Sequence, residues 1–363
     1  DNITLNKLWL RELCQELKPL NIVFKCHTRP DIVDEESLRL LYEAGCAEMG
    51  YGVESADNKV LRINHKGFTV EGDPYMSFEE ACSRRDFTVN AILKDVLTGE
   101  IVDPFQGQVD IKAKRLRAVS ENTFQEDSLR VLRLVQFASR FNFAIDPPTA
   151  HTAIATDLSD LPKERVWMEL EKMFLKSPLI NLGVEYMFEL GVASKLFPSL
   201  NYTNSVQNSL LIADYSGLTE GEKLAVVVAL LTFDSREEVL DELGLSSVEG
   251  YNVRKHVVAL RENVPQGFLN SDYEFHKLSQ HVHMKLAAKV LSALGYGEAF
   301  TSTIKLLGIE DKPVEPLLKG RDLIKMGLEP CEEFGKIIDD MYERQLRGEV
   351  TTLDQAKDLV WCS

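Results

Sequence analysis

The stretch Arg84-Arg85-Asp86-Phe87-Thr88-Val89-Asn90-Ala91-Ile92 decides how this chain is read. Two adjacent arginines and an aspartate open an otherwise apolar run. Guanidinium forks match phosphate oxygens in a bidentate geometry. A carboxylate beside them suits a hydroxyl or a metal. The other reading of such a cluster is a surface salt-bridge group that caps a strand.

Downstream lies a second polar-apolar block, Phe124-Gln125-Glu126-Asp127-Ser128-Leu129-Arg130-Val131-Leu132-Arg133. On a helix, Asp127 and Arg130 stand at i and i+3 and share one face, which Arg133 continues. The aspartate offers acceptors and the arginine offers donors, so the pair can mimic the edge of a base. The plainer reading is an exposed ion pair worth about 0.2–0.5 kcal/mol.

The chain has 363 residues, 44% hydrophobic and 27% charged, and a formal net charge of −16. Two or three domains with ample core are expected. An acidic protein does not coat nucleic acid nonspecifically. A local basic groove is compatible with that charge: residues 111–140 carry Lys112, Lys114, Arg115, Arg117, Arg130, Arg133 and Arg140 against Glu121, Glu126 and Asp127. No apolar run approaches the roughly 20 residues of a membrane span, and residues 1–20 alternate charged and apolar positions rather than forming a signal peptide. The six cysteines are scattered without a Cys-x-x-Cys pair, which points to reduced thiols in a cytoplasmic protein.

Periodicity divides the chain. Leu5 to Leu17 has helical spacing, Ile22 to Cys26 and Glu48 to Val53 read as strands, Asp34 reads as the cap of a helix running through Ala44, and Asp57 to Ile63 reads as a short helix. Strand-helix-strand order implies parallel pairing. Residues Ala91–Leu93 and Ile101–Val102 read as a hairpin around Gly99. From Glu126 onward nearly everything is helical by period, including 164–175, 181–191, 221–232, 248–262, 274–294 and 333–347. Weak boundaries fall near 64, 145–160 and 200–220.

Together the two polar blocks resemble the class II tRNA nucleotidyltransferase (CCA-adding) and bacterial poly(A) polymerase family. The resemblance covers about residues 65–363 and is strongest over 65–143 and 316–350. It implies a partial α/β nucleotidyltransferase head (65–120), a helical neck that binds nucleotide and RNA (121–200), and a helical body and tail (201–363). Residues 1–64 form a βαβ segment whose run "CHTRPDIVDEESLRLLYEAGCAEMGYGVES" resembles part of a radical S-adenosylmethionine barrel, without that family's cysteine cluster.

The activity implied is transfer of CMP or AMP from CTP or ATP to a tRNA or other RNA 3′ end, with Mg²⁺. By resemblance, Arg84, Arg85, Asp86 and Asn90 contact triphosphate and ribose, while Asp127, Arg130 and Arg133 select the base. Asp103, Gly107 and Asp110 belong to a hinge between head and neck, with Gly107 permitting a tight turn. Arg165 and Glu169 brace the recognition helix. Lys319, Arg321, Lys325 and Lys336 contact RNA phosphates. The family's metals sit on an Asp-x-Asp strand, and no Asp-x-Asp occurs in this sequence. Asp34/Glu36 and Glu71/Asp73 have the spacing without the surrounding strand. The region Ala229–Asp234 lacks the His-Asp dyad of the phosphohydrolase module carried by many bacterial relatives. A catalytically silent RNA- or nucleotide-binding protein is the alternative, and a radical-enzyme fragment a second one. Oligomeric state is left open.

Overall fold

The computed structural model describes residues 7–28, 33–51, 77–95, 98–245, 247–248, 250–264 and 269–360. Two compact units result, Asp1–Ala81 and Cys82–Ser363. The expected helix at Asp57–Ile63, the Glu71/Asp73 pair and most of the Gly-Tyr-Gly-Val-Glu-Ser turn lie outside the described residues.

In the first unit, helix α1 (Lys7–Leu17) precedes strand β1 (Phe24–Thr28), helix α2 (Glu35–Glu43) and strand β2 (Cys46–Tyr51). The two strands pair in parallel, as strand-helix-strand order requires. Asp34 caps α2, its carboxylate accepting from the Ser37 amide at 2.9 Å. Lys7 and Arg11 of α1 pair with Asp34 and Glu36 across the helices. These two carboxylates are therefore engaged as cap and ion-pair partners. Leu10, Cys14, Cys26, Leu41 and Ala44 form the small core.

The second unit opens within helix α3 (Phe78–Ser83) and continues through a single 3-10 turn at Thr88–Asn90. Strands β3 (Leu93–Lys94) and β4 (Ile101–Val102) close the expected hairpin, with Gly99 in the left-handed region at φ +75°. Helix α4 (Gly107–Lys112) leads to β5 (Arg115–Leu116), and Phe87 bridges Ala118 just beyond it. Helices α5 (Thr123–Glu126) and α6 (Arg130–Phe141) follow, then β6 (Ala144–Ile145), which pairs in parallel with β5.

Helix α6 forms because its apolar residues recur at 3–4 spacing: Val131, Leu132, Leu134, Val135 and Ala138 are all buried. It stops at Asn142, which takes the left-handed conformation at φ 54°. The remaining helices are α7 (Pro147–Ala155), α8 (Lys163–Lys176), α9 (Ile180–Glu189), α10 (Val192–Leu196), α11 (Asn204–Ile212) and α12 (Glu220–Leu231). Against them pack α13 (Val239–Leu243), the hairpin β7 (Ser247–Val248) and β8 (Tyr251–Asn252), α14 (Val253–Asn263), α15 (Asp272–Ser279), α16 (Met284–Ala293) and α17 (Gly297–Leu306). One continuous core runs from Phe87 to Ile309, with Leu224 to Leu231 of α12 buried at every position. Helices α18 (Gly320–Lys325), α19 (Glu333–Leu346) and α20 (Leu353–Val360) gather around a separate cluster of Leu318, Leu323, Met341, Val350 and Ala356.

Two helices are shorter than their period suggests. Residues 248–252 make a hairpin before α14, whose first turn is capped by the Asn252 side chain. The run 274–294 breaks at residues 280–283 into α15 and α16. Phe275, Val282 and Leu286 stay buried on both sides of the corner. An apolar pattern that persists through a corner cannot report the corner.

Candidate functional site

Residues 84–90, the turn after α5 and the starts of α6 and α8 converge on one cavity of about 390 Å³. Arg84, Arg85, Asp86, Asn90, Asp127, Leu129, Arg130, Arg133 and Arg165 line it. Every residue assigned to nucleotide binding from sequence is brought together here. Five arginines face two aspartates, so the cavity is cationic within an acidic chain.

The apolar residues of the opening stretch anchor it. Phe87 is fully buried against Phe124 and Phe137, and the backbone from Asp86 to Thr88 hydrogen-bonds residues 117 and 119. With Phe87 held inward, Arg84 and Arg85 are exposed. Among the described residues neither guanidinium has a hydrogen-bond or ion-pair partner, so both are available to an anion.

Asp86 is engaged within the chain. Its Oδ1 accepts from the Phe87 amide at 2.8 Å and from Asn90 Nδ2 at 3.1 Å, while Arg133 donates Nε to Oδ2 at 2.7 Å and holds Nη2 at ion-pair distance, 2.7 Å, from the same oxygen. A carboxylate offers about four acceptor positions, and three of them are taken by hydrogen bonds. Asp86 therefore orients Arg133 and Asn90. Arg133 also lies over the Phe137 ring, its Cζ 5.2 Å from the centroid.

Asp127 and Arg130 share the cavity without sharing a helical face. Asp127 is extended (φ −153°, ψ 103°) and ends α5, while Arg130 begins α6. The cause is local: Asp127 Oδ1 accepts from the Leu129 amide at 3.2 Å, a side-chain turn that competes with helix. Arg130 donates to Thr123 O, Glu126 Oε2 and the Arg84 carbonyl, the last at 2.7 Å. It thereby ties the backbone at Arg84 to the turn between α5 and α6.

Arg165 and Glu169, expected to brace the recognition helix, take separate partners. Arg165 reaches Asp127 Oδ1 at 3.6 Å and lines the cavity, while Glu169 is buried and takes Lys172 at 2.8 Å. Arg165 and Leu129 are cavity residues that sequence reading missed as such. Arg165 comes from the first turn of α8, and no spacing signal links it to Asp127.

The hinge residues build a buried support beneath the site. Asp103 accepts from the amides of Gly107 at 2.7 Å and Gln108 at 2.9 Å, holding the start of α4. Gln106, at φ 61°, makes the left-handed turn expected of Gly107. Glycine is required at 107 for another reason: a Cβ there would lie 2.1 Å from the Thr88 carbonyl oxygen. Asp110 is fully buried and accepts from Thr88 Oγ1 at 2.7 Å, Arg115 Nη2 at 2.5 Å and Arg117 Nε at 2.9 Å. Burial opposes its ionisation, but these hydrogen bonds outweigh it and hold the carboxyl below the ordinary aspartate range.

Lys319, Arg321, Lys325 and Lys336 sit on or beside α18 and α19. Arg321, Lys325 and Lys336 are exposed, while Lys319 is half-buried and paired with Glu315 at 2.7 Å. Among the described residues no three His, Cys, Asp or Glu side chains are placed to hold a metal ion. The two acidic groups best buried here, Asp86 and Asp110, are engaged by donors on both oxygens, so neither is a free ligand for Mg²⁺.

Two family matches coincide with this architecture. The "Poly A polymerase head domain" matches residues 44–117, and the "Probable RNA and SrmB- binding site of polymerase A" matches residues 142–203. Residues 44–117 and 142–203 of the chain thus match two domains of the poly(A) polymerase family. The head match starts at residue 44, so it includes β2 of the first unit. A family relative from Chromobacterium violaceum, named multifunctional CCA protein, is 33% identical over 203 residues, which are 51% of this chain and 48% of that protein. The chain thus spans about half the length of that relative. The fold is that of solved CCA-adding enzymes. The Bacillus stearothermophilus enzyme in complex with CTP aligns with a TM-score of 0.60 and 24% identity over 79% of this chain and 75% of that one. The Thermotoga maritima enzyme complexed with tRNA aligns at 0.55 and 20% identity over 83% of each chain. That fold accords with the α/β portion followed by helices described above.

Proposed function

We propose that this chain carries the nucleotide-selecting and RNA-holding parts of an RNA 3′-end nucleotidyltransferase acting on CTP and ATP in tRNA maturation. The supporting observation is the cationic cavity in which Arg84 and Arg85 are unpaired while Arg130, Arg133 and Arg165 are held by fixed acceptors. Unpaired guanidinium forks receive the triphosphate. Held ones present the remaining N–H groups in set directions, which is what template-independent reading of a base edge needs. Asp127 Oδ1 is engaged by Leu129 and Arg165. Among the described residues its Oδ2 has no donor, so it is available to an exocyclic amine of cytosine or adenine. The exposed cations of α18 and α19 are assigned to RNA phosphates.

Nucleotidyl transfer in this family runs with Mg²⁺, a hard cation that needs carboxylate and phosphate oxygens. Because the described carboxylates do not supply that site, a second reading follows: binding of nucleotide and RNA without transfer. One experiment separates them. The chain is incubated with tRNA lacking its 3′ end, Mg²⁺ and labelled CTP or ATP, beside an Arg85→Ala control. Arg85-dependent incorporation supports transfer. Saturable CTP and ATP binding without incorporation supports the recognition function alone. Absence of both sinks the reading.

A further inference from the structure

We propose that Cys26 and Cys46 are a thiol pair that closes to a disulfide by exchange with a low-molecular-weight disulfide. The two residues stand on the paired strands β1 and β2 of the first unit, with their Sγ atoms 3.5 Å apart. Cys46 registers with Phe24, two residues before Cys26, so the two thiols are diagonal neighbours on one sheet face. The register shift of the ladder falls between Phe24 and Lys25, between the two cysteines. Neighbouring strands lie about 4.8 Å apart, and disulfides bridge Cα separations of about 4.4–6.8 Å. Diagonal neighbours stand about 7–8 Å apart, so bringing the contacting sulfurs to bonding distance draws the two strand segments together at the register shift.

The pair is asymmetric. Cys26 is buried and Cys46 is partly exposed. Burial, and then the hydrogen bond and charge of Cys46, push the Cys26 thiol up to about 12. Reaction accordingly starts at Cys46. Its thiolate attacks the small disulfide, forms a mixed disulfide and releases one small thiolate. The Cys26 sulfur then attacks the Cys46 sulfur, its proton passes to the departing thiolate, and the second small thiol leaves. Two protein thiols are oxidised and one small disulfide is reduced to two thiols, so atoms and electrons balance. Cys14 of α1 is buried in the same core, close enough to raise the Cys26 thiol further. It lacks the direct sulfur contact that Cys26 makes with Cys46.

Scattered cysteines without a Cys-x-x-Cys motif read as isolated thiols in the sequence. The parallel pairing of β1 with β2 brings these two together. Cys46 lies within the residues matched by the head family and Cys26 precedes them. The cross-link would join the matched head to the strand before it.

The experiment is peptide mapping of the full chain after incubation with oxidised glutathione and quenching by alkylation. A Cys26–Cys46 linked peptide, two hydrogens lighter than the free pair, is the expected main product, with exposed Cys331 stopping at the glutathione adduct. In Cys26→Ser, Cys46 should also stop at the adduct. Modification of Cys331 with Cys26 and Cys46 still alkylated overturns the proposal, and so does a link through Cys14. The map of the unsubstituted chain decides the matter even if the serine variant fails to fold.

Discussion

Arg133 donates its Nε–H to Asp86 Oδ2 at 2.7 Å and keeps Nη2 2.7 Å from the same oxygen as an ion pair, across 47 residues of sequence. The pair joins the arginine-rich loop to the first turn of α6 and fixes how Arg133 enters the cavity. Removing one partner of a pair in which the other stays desolvated is costlier than removing both. Asp86 is almost fully buried and Arg133 one-third exposed, which places the loss for Asp86→Ala at about 2–3 kcal/mol. The double variant with Arg133→Ala should lose less than the sum of the two single changes. Chemical denaturation of the four proteins measures that coupling, and strict additivity would contradict the assignment.

Among the described residues Arg85 has no partner to leave behind. Arg85→Ala should therefore melt within a degree or two of the parent. It should nevertheless weaken CTP and ATP binding alike, by about tenfold or more, because a phosphate-facing fork is blind to the base. Calorimetric titration with both nucleotides reads this directly. Unequal losses for the two would move Arg85 from the phosphates to the base.

Asp127→Ala is expected to act on choice rather than on affinity alone. It removes the open acceptor beside Arg130 and releases Arg165 from its 3.6 Å contact. The preference for CTP and ATP over UTP and GTP should collapse towards equality. Competition binding with all four nucleotides checks it, and a preserved preference would assign selection elsewhere.

Asp110 supplies a pH signature. Its carboxyl sits below the ordinary aspartate range in the folded chain because Thr88, Arg115 and Arg117 outweigh burial. A depressed carboxyl contributes stability above its unfolded value, near pH 4, and loses it as pH falls through the folded value. Asp110→Asn should cost about 2 kcal/mol at pH 7, and its gap from the parent should narrow as the solution is acidified below about pH 4. Denaturation midpoints at pH 7 and pH 3 give the comparison, and a gap that widens in acid would contradict it.

The exposed cations near α18 and α19 should make RNA binding salt-dependent. Replacing Arg321, Lys325 and Lys336 together by alanine should lower the slope of log affinity against log salt by about 0.7–0.9 for each RNA phosphate that is no longer neutralised. Nucleotide binding at the distant cavity residues should not change. An unaltered slope would show that these side chains do not meet RNA.

Local pattern explains what could be read early. The helix over Lys163–Lys176 follows from its apolar period, and the cap at Asp34 from its place before α2. The hairpin around Gly99 follows from turn chemistry. The break between α15 and α16 was not legible, because Phe275, Val282 and Leu286 keep helical spacing through it. Nor was Gly107: its need is set by the Thr88 carbonyl, which approaches from another segment.

The sequence by itself determined an arginine-rich loop and an Asp-x-x-Arg turn, since residue types and short spacings carry that information. Tertiary structure decided which of those charges remain free. Asp86 is committed to Arg133, Asp127 is shared with Arg165 from a later helix, and Arg84 and Arg85 are left open. The physical reason is that charge pairing depends on distance in space. Segments tens of residues apart meet only once the apolar faces of α6 and α8 have packed.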